Sequence, residues 1–230
     1  MADTERVLRI YRAAVSKNEA MKKAAKSARS WADAYSYAKG AGEAVSRAVF
    51  SELEGDADEL AMLLDAGMRA GHADVSRICR KIQRFLNDQA ELGIGILSSE
   101  YDPTIATEMA LAFASSDSRT LEQLTSLLTT EAMKVVDTSI KDNFEAASGM
   151  GLSCKIVRRY DDVGLHDGTK WARPCQWCLD REGTWDNYEE AKDAGAFARH
   201  PGCQCVITYE VGKTRTWSRW NGAWKDMSDL

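Results

Sequence analysis

Histidine and proline are scarce in this chain of 230 residues, with three of each. Other things are missing outright. No run of about 18 apolar residues occurs, which excludes a membrane-spanning helix of ordinary length. No glycine-rich phosphate loop, nucleophile elbow or paired His-Glu zinc-protease motif appears, so the enzyme classes built on them have no foothold. The opening stretch Met1 to Arg12 is charged throughout and lacks the apolar segment of a secretory leader. A chain kept in a reducing cytosol is the expectation, with its thiols free. With 44% hydrophobic residues the chain can bury a real core, and its length suits one large and one small domain.

What is present is concentrated. Four of the six cysteines lie between Cys175 and Cys205, as Cys175-Gln176-Trp177-Cys178 and then His200-Pro201-Gly202-Cys203-Gln204-Cys205. Two thiols separated by two residues can turn around one ion, and a second close set completes a tetrahedral site. Arg173-Pro174 and Gly183 flank the first turn, and Pro201-Gly202 bends the second. The other readings are a redox pair, a disulfide framework, or inert thiols beside a surface histidine. The spacing points to zinc, held by four of Cys175, Cys178, His200, Cys203 and Cys205. Cys175, Cys178 and Cys203 are the firmest of these, and the fourth is His200 or Cys205. In a straight strand Cys203 and Cys205 would stand about 6.5 Å apart, too far for one ion unless the backbone bends. A site with three or four thiolates is structural and closed to water.

The net charge of −5 conceals an asymmetry: residues 1–50 carry +5, residues 51–150 carry −10, and the remainder balances. A basic leading segment can face nucleic acid or an acidic protein surface, or can simply be a solvated helix face. Lys22, Lys23, Lys26 and Arg29 lie along one helical face without the interleaved aromatics of single-strand binders. Residues 1–150 predict a helical domain. One helical run goes from Thr4 to Lys39 with Gly40 and Gly42 as punctuation. A second goes from Glu43 to Met68, weakened at Gly55, and Gly71-His72 separates it from a third. Thr104 to Ala114 and the stretch from about Asp117–Thr120 to Ala147 complete the set. The stripe Val7, Ile10, Tyr11 and Ala14 predicts an amphipathic helix needing a surface to cover it. Cys79 reads as core, and His72 is given no role.

From residue 151 the texture changes. Lys155–Tyr160 and Val206–Val211 predict strands, Gly183-Thr184-Trp185 a strand pairing back on the cysteine knuckle, and Asn187–Phe197 a short helix leading to His200. Six of the seven tryptophans follow residue 170, as expected of a small module that uses metal and large aromatics where core is short. The expected architecture is therefore α+β: a helical body, a β-rich Cys/His zinc module over residues 151–212, and a Trp-rich tail over 213–230.

From about Val136 to Val211 the chain resembles the minor head proteins of tailed bacteriophages, the head-morphogenesis family related to the phage Mu F protein. The resemblance runs through Asp137-Thr138-Ser139-Ile140, Lys155-Ile156-Val157-Arg158, Pro174-Cys175-Gln176-Trp177-Cys178, Glu182-Gly183-Thr184-Trp185-Asp186 and Arg199-His200-Pro201-Gly202-Cys203-Gln204-Cys205-Val206. Its most specific part is the histidine just ahead of Cys-x-Cys and a strand. The stretch Asp161 to Ala172 departs from it like an insertion, and the helical front half agrees only in general character. The resemblance implies a low-copy, non-catalytic virion protein that partners the portal or the major capsid protein. It also implies a place in the head, with host cytoplasm as the site of assembly, and leaves room for non-specific contact with packaged DNA.

Two rivals come from other classes. A zinc-supported His-Asn-His nuclease would recruit His166-Asp167, Asn187 and His200. It needs a general-base histidine and further ligands for a catalytic metal, and three histidines leave almost none in reserve. A helix would also be required after Cys205, where a strand is expected. A zinc-ribbon-like DNA-binding module would use Lys213, Arg215, Trp217, Arg219 and Trp220, which follow the site.

Overall fold

Short polar side chains start the helices. Asp3 opens α1 (Thr4–Lys17), Asn18 opens α2 (Glu19–Ser27), and Asp56 opens α4 (Ala57–Gln89), each accepting a backbone N–H of the first turn. Ser30 opens α3 (Trp31–Phe50) with a reciprocal box, since Asp33 accepts the Ser30 N–H at 3.0 Å while Ser30 accepts that of Asp33. α5 (Thr104–Ala114) follows Pro103, and Thr120 caps α6 (Leu121–Gly149). The computed structural model describes residues 3–53, 56–116, 118–160 and 175–210 in full, with the backbone alone of 211, 215–218 and 223–226.

The six helices precede a small sheet. Strands β1 (Cys154–Tyr160), β2 (Gly183–Trp185) and β3 (Cys205–Val211) form an antiparallel sheet in the order β2-β1-β3. Ile156 stands opposite Trp185 on one side and Tyr209 on the other. Two short helices, α7 (Gln176–Leu179) and α8 (Tyr188–Asp193), lie between β1 and β3 in sequence. A separate hairpin, β4 (Arg215–Ser218) with β5 (Ala223–Asp226), falls within the Trp-rich tail.

The expected α+β division into a mainly helical body and a small C-terminal sheet therefore holds, but several boundaries moved. The run Thr4–Lys39 is three helices, because Asn18 ends α1 and caps α2, and Ser30 then starts α3. Gly40 and Gly42 do not punctuate anything; both are buried inside α3. A Cβ on Gly42 would stand 2.5 Å from the Thr129 Cα, so this glycine lets α3 and α6 touch backbone to backbone. Gly71 and His72 likewise lie within an unbroken 33-residue α4. β2 pairs with β1 and not with the cysteine knuckle, and α8 is shorter than the expected Asn187–Phe197.

The apolar stripe of α1 needs no outside partner. Val7 and Tyr11 are buried with Val45, Val49, Leu63 and Leu64, and Ile10 and Ala14 pack against the same cluster. The second large cluster is shared between body and sheet. It joins Trp31, Tyr35, Ile140 and Phe144 of the helices to Ile156, Ile207 and Tyr209 of the strands. The sheet thus has no separate core: its inner face closes the open side of α3 and α6.

Candidate metal centre

The first half-site is built by a single helical turn. Cys175 precedes α7 in extended backbone, and its carbonyl accepts the Cys178 N–H at 3.0 Å, which swings Cys178 back beside Cys175. The second half-site is built by Pro201-Gly202. Gly202 adopts a φ of +76°, where a side chain would be strained, and the Cys203 N–H closes the turn on the His200 carbonyl at 3.1 Å. Gly202 is also anchored to the body, its N–H donating to Thr130 Oγ1 of α6 at 3.0 Å.

These turns bring all five expected donors to one place, as two overlapping groups that share Cys178. Cys175, Cys178 and His200 offer ligand atoms within 4.8 Å of one another, and so do Cys178, Cys203 and Cys205. Cys178 Sγ and Cys203 Sγ are 3.8 Å apart. Two thiolates on a tetrahedral zinc, at a Zn–S distance of about 2.3 Å, stand about 3.8 Å apart. His200 Nε2 lies 3.2 Å from Cys175 Sγ and 3.1 Å from Cys178 Sγ. Its Nδ1 lies 2.7 Å from the Pro201 carbonyl, which only accepts, so the ring proton belongs on Nδ1 and the Nε2 lone pair faces the thiols. Cys178, Cys203 and Cys205 are buried, and Cys175 is exposed at the rim. The bend between Cys203 and Cys205 is sharp enough to bring both to Cys178, which a straight strand would forbid. The cluster can hold a metal ion.

Two buried arginines complete the surroundings. Arg158, on the inner face of β1 and 0% exposed, donates to the carbonyls of Ala196 at 2.7 Å and Ala198 at 2.6 Å and to Cys203 Sγ at 3.7 Å. Arg199 also donates to Cys203 Sγ, at 3.7 Å, while its other nitrogens form a two-pronged pair with the Asp137 carboxylate of α6. Tyr35 donates to that same carboxylate and accepts the Ile207 N–H at 3.2 Å. The hydrogen bond from Cys205, aided by the two guanidinium groups and opposed by burial, pulls the Cys203 thiol well below the usual range. Cys205, as donor to Cys203 and buried, is pushed far up. Burial and the charge on Cys203 raise Cys178 to about 12.

Trp177 edges onto the His200 ring at 5.0 Å, and Arg181 lies over the Trp177 ring at 3.9 Å, shielding the histidine side of the cluster. The sequence assigns no role to Arg158, Arg199 and Asp137, although all three lie in the stretches that carry the resemblance. Arg158 and Asp137 left a further trace. Arg158 falls on the same strand face as Cys154 and Ile156, and Asp137 lies on the helix stripe of Met133, Ile140 and Phe144, so both are charges where an apolar residue was due.

The rival nuclease set is not brought together within the described residues. Asn187 is the cap of α8, accepting the Glu189 and Glu190 N–H groups, and His166 and Asp167 lie outside the described residues. The side chains of Lys213, Arg215, Trp217, Arg219 and Trp220 lie outside them too. No helix among the described residues is long and apolar enough to cross a membrane. No known protein family, curated protein or solved structure matches this chain.

Proposed function

We propose that this chain is a minor structural protein of a phage head, acting in assembly or genome delivery near the portal, and that its Cys/His cluster is a structural zinc site. The observation that carries the zinc reading is the way the donors are tied to the helical body. A catalytic zinc keeps an open position for water, whereas these thiols are mostly buried and are backed by two guanidinium groups. The ligand set we favour is Cys175, Cys178, His200 and Cys203, with Cys205 as a hydrogen-bond partner. Its charge sum supports it: three thiolates on a divalent ion leave −1, Arg158 offsets that, and Arg199 is matched by Asp137. Placing Cys205 on the ion as a further thiolate in place of His200 would leave a buried negative charge.

The head role rests on the resemblance in the Cys/His segment together with a site that only braces structure. Its partners would be the portal or the major capsid protein, with the net positive charge of residues 1–50 offering non-specific contact to packaged DNA. Two measurements test the proposal separately. Elemental analysis of purified protein should find one zinc per chain, and protein that folds fully without metal refutes the site. Mass spectrometry of purified phage heads should find the chain at low copy. Its absence from heads, or metal-dependent cutting of DNA by the purified protein, refutes the role.

A further inference from the structure

The helical body holds a cavity of about 200 Å³, open to solvent at one side, that none of the five candidate metal donors lines. Its walls are apolar, with Val45 of α3, Met68 of α4, Ile105 of α5, and Leu128 and Val135 of α6. Gly71 opens the floor: a Cβ there would meet only Val45, at 3.4 Å. An apolar recess filled by water forgoes the contacts and the apolar burial that an apolar occupant would gain there.

One wall is unlike the others. Residues 90–103 carry no helix or strand beyond a terminal turn, and they cross the cavity at Ser99–Asp102. Side-chain hydrogen bonds hold this strap in place. Asn143 brackets Leu97, accepting its N–H at 3.1 Å and donating to its carbonyl at 3.0 Å. Ser99 Oγ meets His72 Nε2 at 3.2 Å, and Tyr101 donates to Asp65 at 2.9 Å. Gly93 and Gly95 have nothing near their Cβ positions.

The rim sets the charge of the occupant. Glu100 and Asp102 are exposed at the mouth, while Glu131 beside them is paired with Lys134 at 2.5 Å, so the net charge of the rim is negative and rests on Glu100 and Asp102. The interior offers little to a charged group. We propose that this cavity binds a small arylalkylammonium, its ring among Val45, Ile105, Leu128 and Val135 and its ammonium at the Glu100 and Asp102 rim. The size agrees, since an apolar cavity of about 150 Å³ takes one benzene, which leaves room here for a ring with a short arm.

The test is titration of the full chain with phenethylamine, benzyl alcohol and phenylacetate, followed by amide NMR shifts. Phenethylammonium and benzyl alcohol should both shift signals lining the cavity. The cation should bind about fivefold tighter, the size expected of a partly exposed charge pair, and phenylacetate should not bind. Glu100→Gln with Asp102→Asn should erase that preference yet leave benzyl alcohol binding intact. Gly71→Leu, which fills the floor, should abolish both. Failure of both ligands to shift these signals, equal binding of phenylacetate, or unchanged binding by a folded Gly71→Leu variant would each overturn the proposal.

Discussion

Asp137→Ala should be among the most damaging single changes in the chain, although it lies in the middle of a helix and binds no metal. The Asp137 and Arg199 side chains are 3% and 0% exposed. Removing the carboxylate strands a buried guanidinium whose remaining acceptor is Cys203 Sγ at 3.7 Å, and deprives Tyr35 of its acceptor. Breaking a buried pair from one side costs about 3–5 kcal/mol, mostly the penalty of the uncompensated charge. For a chain of this size, about 4 kcal/mol corresponds to a drop in Tm of about 8–16 °C. Metal affinity should fall as well, by about 10–100-fold, as is usual when the groups that orient ligands are lost. Urea unfolding followed by circular dichroism reads the first effect and competition with a chromogenic chelator reads the second. The double change Asp137→Leu with Arg199→Met removes both charges and should recover most of the stability without restoring affinity. Tyr35→Phe should cost less, about 1–3 kcal/mol, because it strands only the Ile207 N–H. A loss below about 1 kcal/mol for Asp137→Ala would refute the view that this pair carries the junction between body and sheet.

Cys203→Ser should abolish stoichiometric zinc binding while Cys205→Ser retains it, as measured by metal content after dialysis; the opposite pattern would exchange their roles. Chelation at neutral pH should alter the near-ultraviolet signal of Trp177 and Trp185 and leave most helical signal, since the two large clusters contain no metal donor other than through the sheet. Gly42→Ala should destabilise by about 1–3 kcal/mol, because its methyl meets the Thr129 backbone and cannot be relieved by a side-chain rotation. Burial lowers the His72 pKa below 6.5, so on acidification the unfolded chain takes up this proton first. The contribution of neutral His72 is therefore whole above about pH 6.5 and declines as pH falls through that value toward the folded pKa. His72→Gln should flatten the stability profile over that window, and an unchanged slope in urea titrations at several pH values would contradict it.

Much of the candidate site was legible in the residues alone. Cys-x-x-Cys and His-x-x-Cys-x-Cys encode their own turns, so the five donors could be named before any fold was known. Helix caps act within one turn as well, but Asn18 and Ser30 fall inside a run that periodicity alone joins, whereas α5 and α6 begin at or beside the expected Thr104 and Thr120. The glycines show where local reasoning fails. Gly42 and Gly71 look like breaks because glycine is a poor helix former, yet a helix tolerates glycine where a neighbouring backbone must come close, and only the packing of α3 on α6 reveals that need. The α1 stripe misled for the same reason, since amphipathicity states that a face is to be buried without saying by what.

The chain by itself determined the helical body, the three strands and the candidate metal donors, because periodicity, capping and turn chemistry all act within a few residues. The tertiary structure alone decided that Val7 and Tyr11 close on the chain's own core, and that the sheet shares its interior with α3 and α6. It alone joined Asp137 to Arg199 across 62 positions of sequence and placed that pair behind Cys203. A buried charge is tolerated only where a counter-charge reaches it in space, and spatial reach across long sequence separations is what no short-range pattern records.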